Sequence, residues 1–367
     1  MSNIFIGIMS GTSIDGVDAV AVDFSDNQIR CLGHYFQSFP KTLAKELNAL
    51  CLPGDNEIVR AGQAAVQLSQ VYAEAVAHLL KDLSLSSEQI QAIGCHGQTI
   101  RHHPELSPAF SYQLMNGSHL ACLSQIPVIC DFRAKDIAAH GEGAPLVPAF
   151  HHAVFAKEDV KRAVINIGGI ANLTLLPGSD SDIIGYDTGP GNTLMDAWIK
   201  TGLGDNYDRD GQWAREGTCN QALLQSLLQD AYFAKLPPKS TGREYFTLSW
   251  LEKHRKEAAV SAVTPKDIQA TLLFLTVSSI RDAVNQHDVE EIYLCGGGTY
   301  NSYLCGMLQE HLPHQRIHST KTLGIPPEHV EAMAFAWLAK AYIDDIPGNI
   351  PSVTGAEQSV ILGCMYK

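Results

Sequence analysis

Ile4-Phe5-Ile6-Gly7-Ile8-Met9-Ser10-Gly11-Thr12-Ser13-Ile14-Asp15-Gly16-Val17-Asp18-Ala19-Val20-Ala21-Val22 is two apolar runs separated by a polar, two-glycine turn. Residues 3–9 and 17–24 therefore read as strands joined at Ser10–Gly16, and 28–38 as a third strand completing an antiparallel meander. A helix is expected over Glu57–Leu83, where Val66, Val71, Ala75, Leu79 and Leu80 recur at helical spacing. The short apolar runs Gln91–Cys95 and Pro127–Asp131 end in polar residues, as parallel strands with functional groups at their carboxyl ends do.

Near residue 160 the plan starts again. Arg162–Ile167, the turn Gly168-Gly169-Ile170-Ala171, Asn172–Leu176 and Ile183–Asp187 repeat the meander, and Thr188-Gly189-Pro190-Gly191-Asn192 reads as a turn. Helices are expected over Thr193–Lys200, Asn220–Ala231 and Pro265–Asn285. A strand over Glu291–Cys295 runs into Gly296-Gly297-Gly298, and a last helix spans Glu328–Tyr342. Two related α/β domains, 1–160 and 161–367, account for this weak repeat.

The 367 residues, 45% of them hydrophobic, suffice for a large core, which excludes disorder as the main description. With 26 basic against 39 acidic side chains the formal charge is -13, unsuited to a nucleic-acid duplex or an anionic membrane. Phosphate ligands remain open, because backbone amides hold them without side-chain charge. Nine cysteines, none in a Cys-x-x-Cys pair, fit reduced thiols in the cytoplasm rather than zinc or disulfide frameworks. The first residues lack a secretory pattern, and no apolar run nears the roughly 18 residues of a membrane span.

Three glycine turns follow strands: Ser10-Gly11-Thr12-Ser13, Asn166-Ile167-Gly168-Gly169 and Gly296-Gly297-Gly298. Each alone is an ordinary turn as readily as a ligand site. Together and in this order they point to nucleotide binding, since bare backbone amides form concave anion sites. No Gly-x-x-x-x-Gly-Lys-[Ser/Thr] loop, no Gly-x-Gly-x-x-Gly opening a helix and no protein-kinase signature set is present.

This order of turns resembles the superfamily of sugar kinases, actin and heat-shock chaperone ATPases. The resemblance implies two ribonuclease-H-like domains of the actin-like ATPase fold, with ATP in an interdomain cleft. It departs from that pattern at Met9 and Asn166, where the superfamily usually carries acidic residues, so no side chain is singled out for magnesium. Residues 9–18, Cys95-His96-Gly97-Gln98-Thr99, Asp131-Phe132-Arg133, Tyr186–Asn192, Lys239–Glu244 and Glu331–Ala336 resemble, in order, the blocks of anhydro-N-acetylmuramic acid kinases. That resemblance implies a homodimeric enzyme that uses ATP, magnesium and water. It opens the 1,6-anhydro ring of the sugar and phosphorylates O6, giving N-acetylmuramic acid 6-phosphate in cell-wall recycling.

The same resemblance assigns ATP to Ser10, Gly11, Thr12, Ser13, Ile14, Asp15, Gly16, Val17 and Asp18, with Asn166, Gly168, Gly169, Gly296, Gly297 and Gly298. From its position alone, Asp187 serves equally as a helix cap or as a general base; the family pattern puts the catalytic aspartate there. Arg133 is open to a structural ion pair or a grip on substrate oxygens. Glu331 is favoured by the helix dipole whatever its role. The resemblance turns both toward the sugar, with His96 and Gln98 as further contacts. His96, His102 and His103, like His151 and His152, lack zinc spacing. Lys239–Glu244 reads as a loop with no assigned contact. The competing reading is a regulatory ATPase of the actin or chaperone type; two nucleotide domains leave little chain for its peptide-binding module.

Overall fold

Around the first glycine turn, β1 (Ile4–Met9) and β2 (Gly16–Asp23) pair antiparallel, Met9 opposite Asp18. The computed structural model describes all residues but 1, 2, 12, 26–28, 179–182, 238, 243 and 261. Thr12 and the first residue of the expected third strand, Gln28, thus lie outside the described residues. The further strands are β3 (Arg30–Ser38), β4 (Ile90–Cys95), the hairpin β5 (Gln98–His103) with β6 (Phe110–Leu114), and β7 (Val128–Cys130). After them come β8 (Arg162–Ile167), β9 (Ile170–Leu176), β10 (Ile184–Pro190), β11 (Glu291–Cys295), β12 (Arg316–Ser319) and β13 (Cys364–Tyr366).

Contacts group the chain into two units, Met1–Val154 with Gly324–Lys367, and Phe155–Leu323. In the first, the sheet order is β13-β7-β4-β1-β2-β3; in the second it is β10-β9-β8-β11-β12. Each unit has an antiparallel meander whose first strand pairs in parallel with a later one, β1 with β4 and β8 with β11. This shared order is the ribonuclease-H-like plan, and the two-domain fold class expected from the sequence is present. The expected boundary at 160/161 differs from the observed grouping mainly at the C-terminus. Residues 324–367 belong with the first unit because the helix Val330–Ile343 packs on β1 and β4.

That packing has a sharp steric origin. Gly7 of β1 and Gly94 of β4 are register partners. A Cβ on Gly7 would run into the carbonyl of Ala332, and one on Gly94 into that of Phe335. Facing them are small residues, Ala332, Ala336 and Ala339, all buried. The helix therefore lies with its backbone against the sheet. On the sheet's other covering, the helix Glu57–Leu83 buries Leu68, Val71, Tyr72, Ala75 and Leu79 among Ile6, Ile8, Val17 and Ala19. Each fully buried large aliphatic side chain of such a core contributes roughly 1.5–3 kcal/mol.

The second unit has its own core, in which Ile165, Ile167, Leu173, Ile292 and Leu294 meet Leu272, Leu275 and Ile280 of the helix Pro265–Asn285. Three expectations are corrected here. Residues 188–190 extend β10 through a bulge after Asp187 instead of forming a turn. The helix expected over 220–231 breaks into Gln221–Leu228 and Ala231–Ala234, because the Asp230 side chain accepts from Tyr232 N and caps a new start. The last helix begins at Val330, after a 3-10 turn at Pro327–His329.

Gly94→Ala is expected to cost about 3 kcal/mol, by forcing methyl against helix backbone. Gly306→Ala, where a Cβ meets nothing within 4 Å inside the helix Ser302–His311, is expected to raise stability by about 0.5–1 kcal/mol. Urea unfolding of the two variants checks this contrast.

Candidate active site

Within the first unit β1, β4 and β7 run parallel, so residues 10–11, His96 and Asp131–Arg133 emerge at one sheet edge. Ligands of open α/β sheets bind at such carboxyl ends. Glycine at 97, with φ of 77°, turns the chain sharply between His96 and Gln98. The Gln98 amide nitrogen donates to the Gly11 carbonyl at 3.2 Å, and the Ser10 hydroxyl donates to the Gly97 carbonyl at 3.2 Å. Ser10 also shares a hydrogen bond of 2.8 Å with the buried Tyr72 hydroxyl, so its side chain serves the fold. Ser13 donates to Asp15 at 2.6 Å, and Asp18 meets His34 at 2.7 Å. Ile14 and Val17 are core residues, leaving only their backbone for a ligand.

His96 and Arg133 form one group. The guanidinium donates to His96 Nε2 at 2.9 Å through one terminal nitrogen, and to the Gly143 carbonyl at 2.9 Å through the other. Burial, then the adjacent Arg133 charge, push the imidazole down to about 3, so it is a neutral acceptor here. Nε2 as acceptor puts its hydrogen on Nδ1, which faces the backbone of Gly97 and Ser10. Desolvation pulls Arg133 down to about 10, opposed by the charges of Glu331 and Asp136; it stays cationic near neutral pH. Phe335 packs on the His96 ring at 4.8 Å, one helical turn from Glu331. Gln98 is fully buried and its amide oxygen has no partner among the described residues. His96, Gln98, Arg133 and Glu331 are thus gathered in the first unit, with oriented polar atoms left over.

One residue of this site escaped the sequence reading. Asp136 is fully buried and accepts from Gly143 N at 2.7 Å, Asn349 Nδ2 at 2.7 Å and Thr354 Oγ1 at 2.8 Å. It ties the turn that presents the Gly143 carbonyl to Arg133. A Cβ at Gly141 would collide with its carboxylate. The visible signal is a carboxylate followed by Gly141-Glu142-Gly143, a turn tight enough to wrap it.

In the second unit β8, β10 and β11 also run parallel, and three loops share their carboxyl edge. Gly191 N and Thr193 N donate to the Gly169 carbonyl at 2.9 and 3.1 Å, and Asn192 N donates to the Gly168 carbonyl at 2.8 Å. A planar peptide points C=O and the following N–H oppositely. The amides of Gly169 and Ile170 therefore turn away from that loop. Thr276 donates to the carbonyls of Pro190 and Gly191 at 2.9 and 3.0 Å, fixing the loop from the helix side. Gly296, with φ of 80°, fits only because a Cβ would strike Asn166 and Ile167; Gly298 abuts Ile167, while Gly297 faces open space. The second and third glycine turns, with Asn166, are thereby brought side by side.

Asp187 sits on β10 opposite Asn172, just before the bulge. One segment holds it on every side: its N–H donates to the Lys239 carbonyl at 3.1 Å, its carbonyl accepts from the Tyr232 hydroxyl at 2.6 Å, and Oδ2 accepts from Thr241 N at 2.9 Å. The Lys239 ammonium lies 4.9 Å from the Tyr232 ring centre. Asp230 anchors the segment, accepting from Tyr232 N, the Tyr245 hydroxyl at 2.7 Å and Trp250 Nε1 at 2.9 Å. Desolvation raises the Asp187 carboxyl to about 6 against the opposing Thr241 bond. Its Oδ1 accepts no hydrogen bond among the described residues. A carboxyl with one tethered and one open oxygen, titrating near neutrality, suits proton abstraction. The six-residue block containing Arg243 is described except at that residue, so the Lys239–Glu244 loop is a strap on Asp187.

The fold is of the actin-like ATPase and sugar-kinase class. Of solved structures, (R)-2-hydroxyglutaryl-CoA dehydratase component A of Acidaminococcus fermentans shares this fold, with a TM-score of 0.51 at 12% identity, over 91% of this chain and 96% of that one. The family described as anhydro-N-acetylmuramic acid kinase matches residues 3–367, and the chain belongs to it. It is 48% identical to the enzyme of that name from Shewanella pealeana over 100% of this chain and 99% of the relative. Its likeness to the Nitrosomonas europaea enzyme is 49%, over 99% of each. The chain is a kinase. Among the described residues no helix is long and apolar enough to cross a membrane.

Asp136→Asn replaces an acceptor by a donor inside a cage of donors. It is expected to lower stability by about 2 kcal/mol or more, read from chemical denaturation.

Proposed function

We propose that this kinase uses ATP and water to convert 1,6-anhydro-N-acetylmuramic acid into N-acetylmuramic acid 6-phosphate, as part of cell-wall recycling. The observation that carries the reading is Asp187, an open-sided carboxyl raised to about 6 and held by its neighbours. As general base it takes a proton from a water that attacks C1. The C1–O6 bond breaks, and the O6 electron pair forms the new bond to the γ-phosphorus as the bond to ADP breaks. Water attack assisted by a carboxylate follows the logic of inverting glycoside hydrolysis. Phosphorus here replaces the general acid as the acceptor of the leaving oxygen's charge.

In this reading Arg133 and Glu331 bind the sugar, with His96 beside them and the Gln98 amide oxygen as a polar atom that lacks a partner among the described residues. His96 Nε2 is spent on Arg133, so its chief duty is to aim the guanidinium. The turns at 10–18, 166–169 and 296–298 are assigned to ATP. Support comes from the amides of Gly169 and Ile170 turned out of the loop contacts, and from the open backbone at Gly297.

Magnesium is part of the proposal through ATP. Among the described residues no cluster of three His, Cys, Asp or Glu side chains comes together to hold it. Phosphate oxygens and waters are the usual ligands in that case. A cytoplasmic location is supported by nine unpaired thiols. A homodimer, implied by the family resemblance, completes the reading.

Below about pH 6 Asp187 is protonated and unable to accept a proton. The rate is therefore expected to rise with pH through that value and level off above it. Asp187→Asn is expected to slow turnover by about 100-fold or more. Since a raised carboxyl stabilises the fold below its unfolded pKa and that contribution is lost as pH rises to about 6, the variant keeps its stability at neutral pH. Initial-rate pH profiles, with mass spectrometry of product made in heavy-oxygen water, test this. Label absent from C1, or full speed in Asp187→Asn, refutes the base.

A further inference from the structure

The strap over Asp187 carries a buried hydroxyl that no bond within the strap accounts for. Thr241 contributes its backbone N–H to Oδ2 of the base at 2.9 Å. Its side-chain hydroxyl, three bonds from that nitrogen, is shielded from solvent and has no hydrogen-bond partner among the described residues. Buried hydroxyls are nearly always paired, and an exception asks for a water or ligand that completes it. Asp187 Oδ1 also lacks a donor among the described residues. A bound water needs at least two polar partners at a site; the strap carries one and β10 the other, joined by the bond from Thr241 N to Oδ2.

We propose that Thr241 is a further catalytic residue, whose hydroxyl holds the attacking water together with Asp187. This rests on the reaction proposed above and adds a second anchor to it. The water gives one hydrogen to Asp187 Oδ1 and the other to Thr241 Oγ1, which leaves a lone pair directed at C1. As the oxygen bonds to C1, the first hydrogen passes to the carboxylate as a proton. The second stays on the new C1 hydroxyl, and Thr241 leaves the step unchanged. A carboxylate alone would fix the water at a single point and let it swing; two acceptors fix its plane, and orientation of this kind is a large part of catalytic rate.

The anchoring of the strap supports the assignment. Lys239 O, Tyr232 OH and Thr241 N all engage Asp187, while Asp230 holds Tyr232, Tyr245 and Trp250. Thr241 is thus held relative to the base by backbone bonds that its own side chain does not make. Removing the hydroxyl leaves those bonds in place.

Thr241→Val, Thr241→Ser and Asp187→Asn are compared by ADP release dependent on the anhydro-sugar, with thermal melting alongside. Thr241→Val is expected to lower kcat about 10- to 100-fold, with the sugar KM within about twofold and the acid limb still near pH 6, because the backbone bond to Oδ2 remains. Thr241→Ser, which keeps an acceptor, is expected to recover most of the rate. Wild-type kcat in Thr241→Val overturns the proposal, as does an equal loss in Val and Ser, which would mean a packing role. If Val lowers the melting midpoint, Thr241→Ala carries the same comparison without the added methyl. A slow Asp187→Asn beside a fast Thr241→Val refutes this inference alone, whereas a fast Asp187→Asn refutes the base on which it rests.

Discussion

Two missing methyl groups set the geometry of the first unit. Gly7 and Gly94 lie side by side in neighbouring parallel strands, and each leaves room for a backbone carbonyl of the helix Val330–Ile343. With that helix seated flush, Phe335 reaches the His96 ring and Glu331 faces the charge of Arg133. A thicker side chain at either glycine would lift the helix from the sheet and take Glu331 with it. Core packing and site assembly are one event here, since interiors are close-packed and have no slack to absorb a shift.

Charge placement around Arg133 follows the same economy. The guanidinium is partly withdrawn from water, which weakens its hold on its proton, and Glu331 and Asp136 counter that loss. His96 accepts from it as a neutral ring, because burial and the neighbouring positive charge both oppose a second cation. Asp136 acts one step further out, through the Gly143 carbonyl. Its three strong donors let a carboxylate remain deep in the unit while leaving Arg133 directed by a backbone oxygen and an imidazole.

The second unit treats its acid in the opposite manner. Asp136 accepts from three donors, whereas the Asp187 carboxylate has a single donor among the described residues, and desolvation wins there. Its main chain, by contrast, is tied at both N–H and carbonyl. The position of the carboxyl is therefore rigid while its proton affinity stays near neutrality. Aromatic packing serves this: Tyr232 lies among Phe233, Tyr245 and Phe246, so the hydroxyl that holds Asp187 is itself immobile.

Much of this was legible in the linear chain. Strand runs 3–9, 91–95, 162–167 and 291–295, each followed by glycine or polar residues, are local patterns that need no partner to be read. They locate the turns, Asp187 and the meander-helix plan, because period and turn chemistry are properties of neighbouring residues. What joined them was packing between distant segments. Lys239–Glu244 read as a plain loop, since only the folded chain sets Thr241 against Asp187. Asp136 drew no reading at all, since two of its three donors, Asn349 and Thr354, lie more than two hundred positions away. The C-terminal stretch was assigned to the second half by chain order, yet it packs with the first, because two glycines there match a row of alanines. Sequence alone determines which segments become strands and where backbone is bare; tertiary structure decides which carboxyl is enclosed by donors and which keeps an open oxygen and a raised proton affinity, for desolvation depends on neighbours that chain order does not reveal.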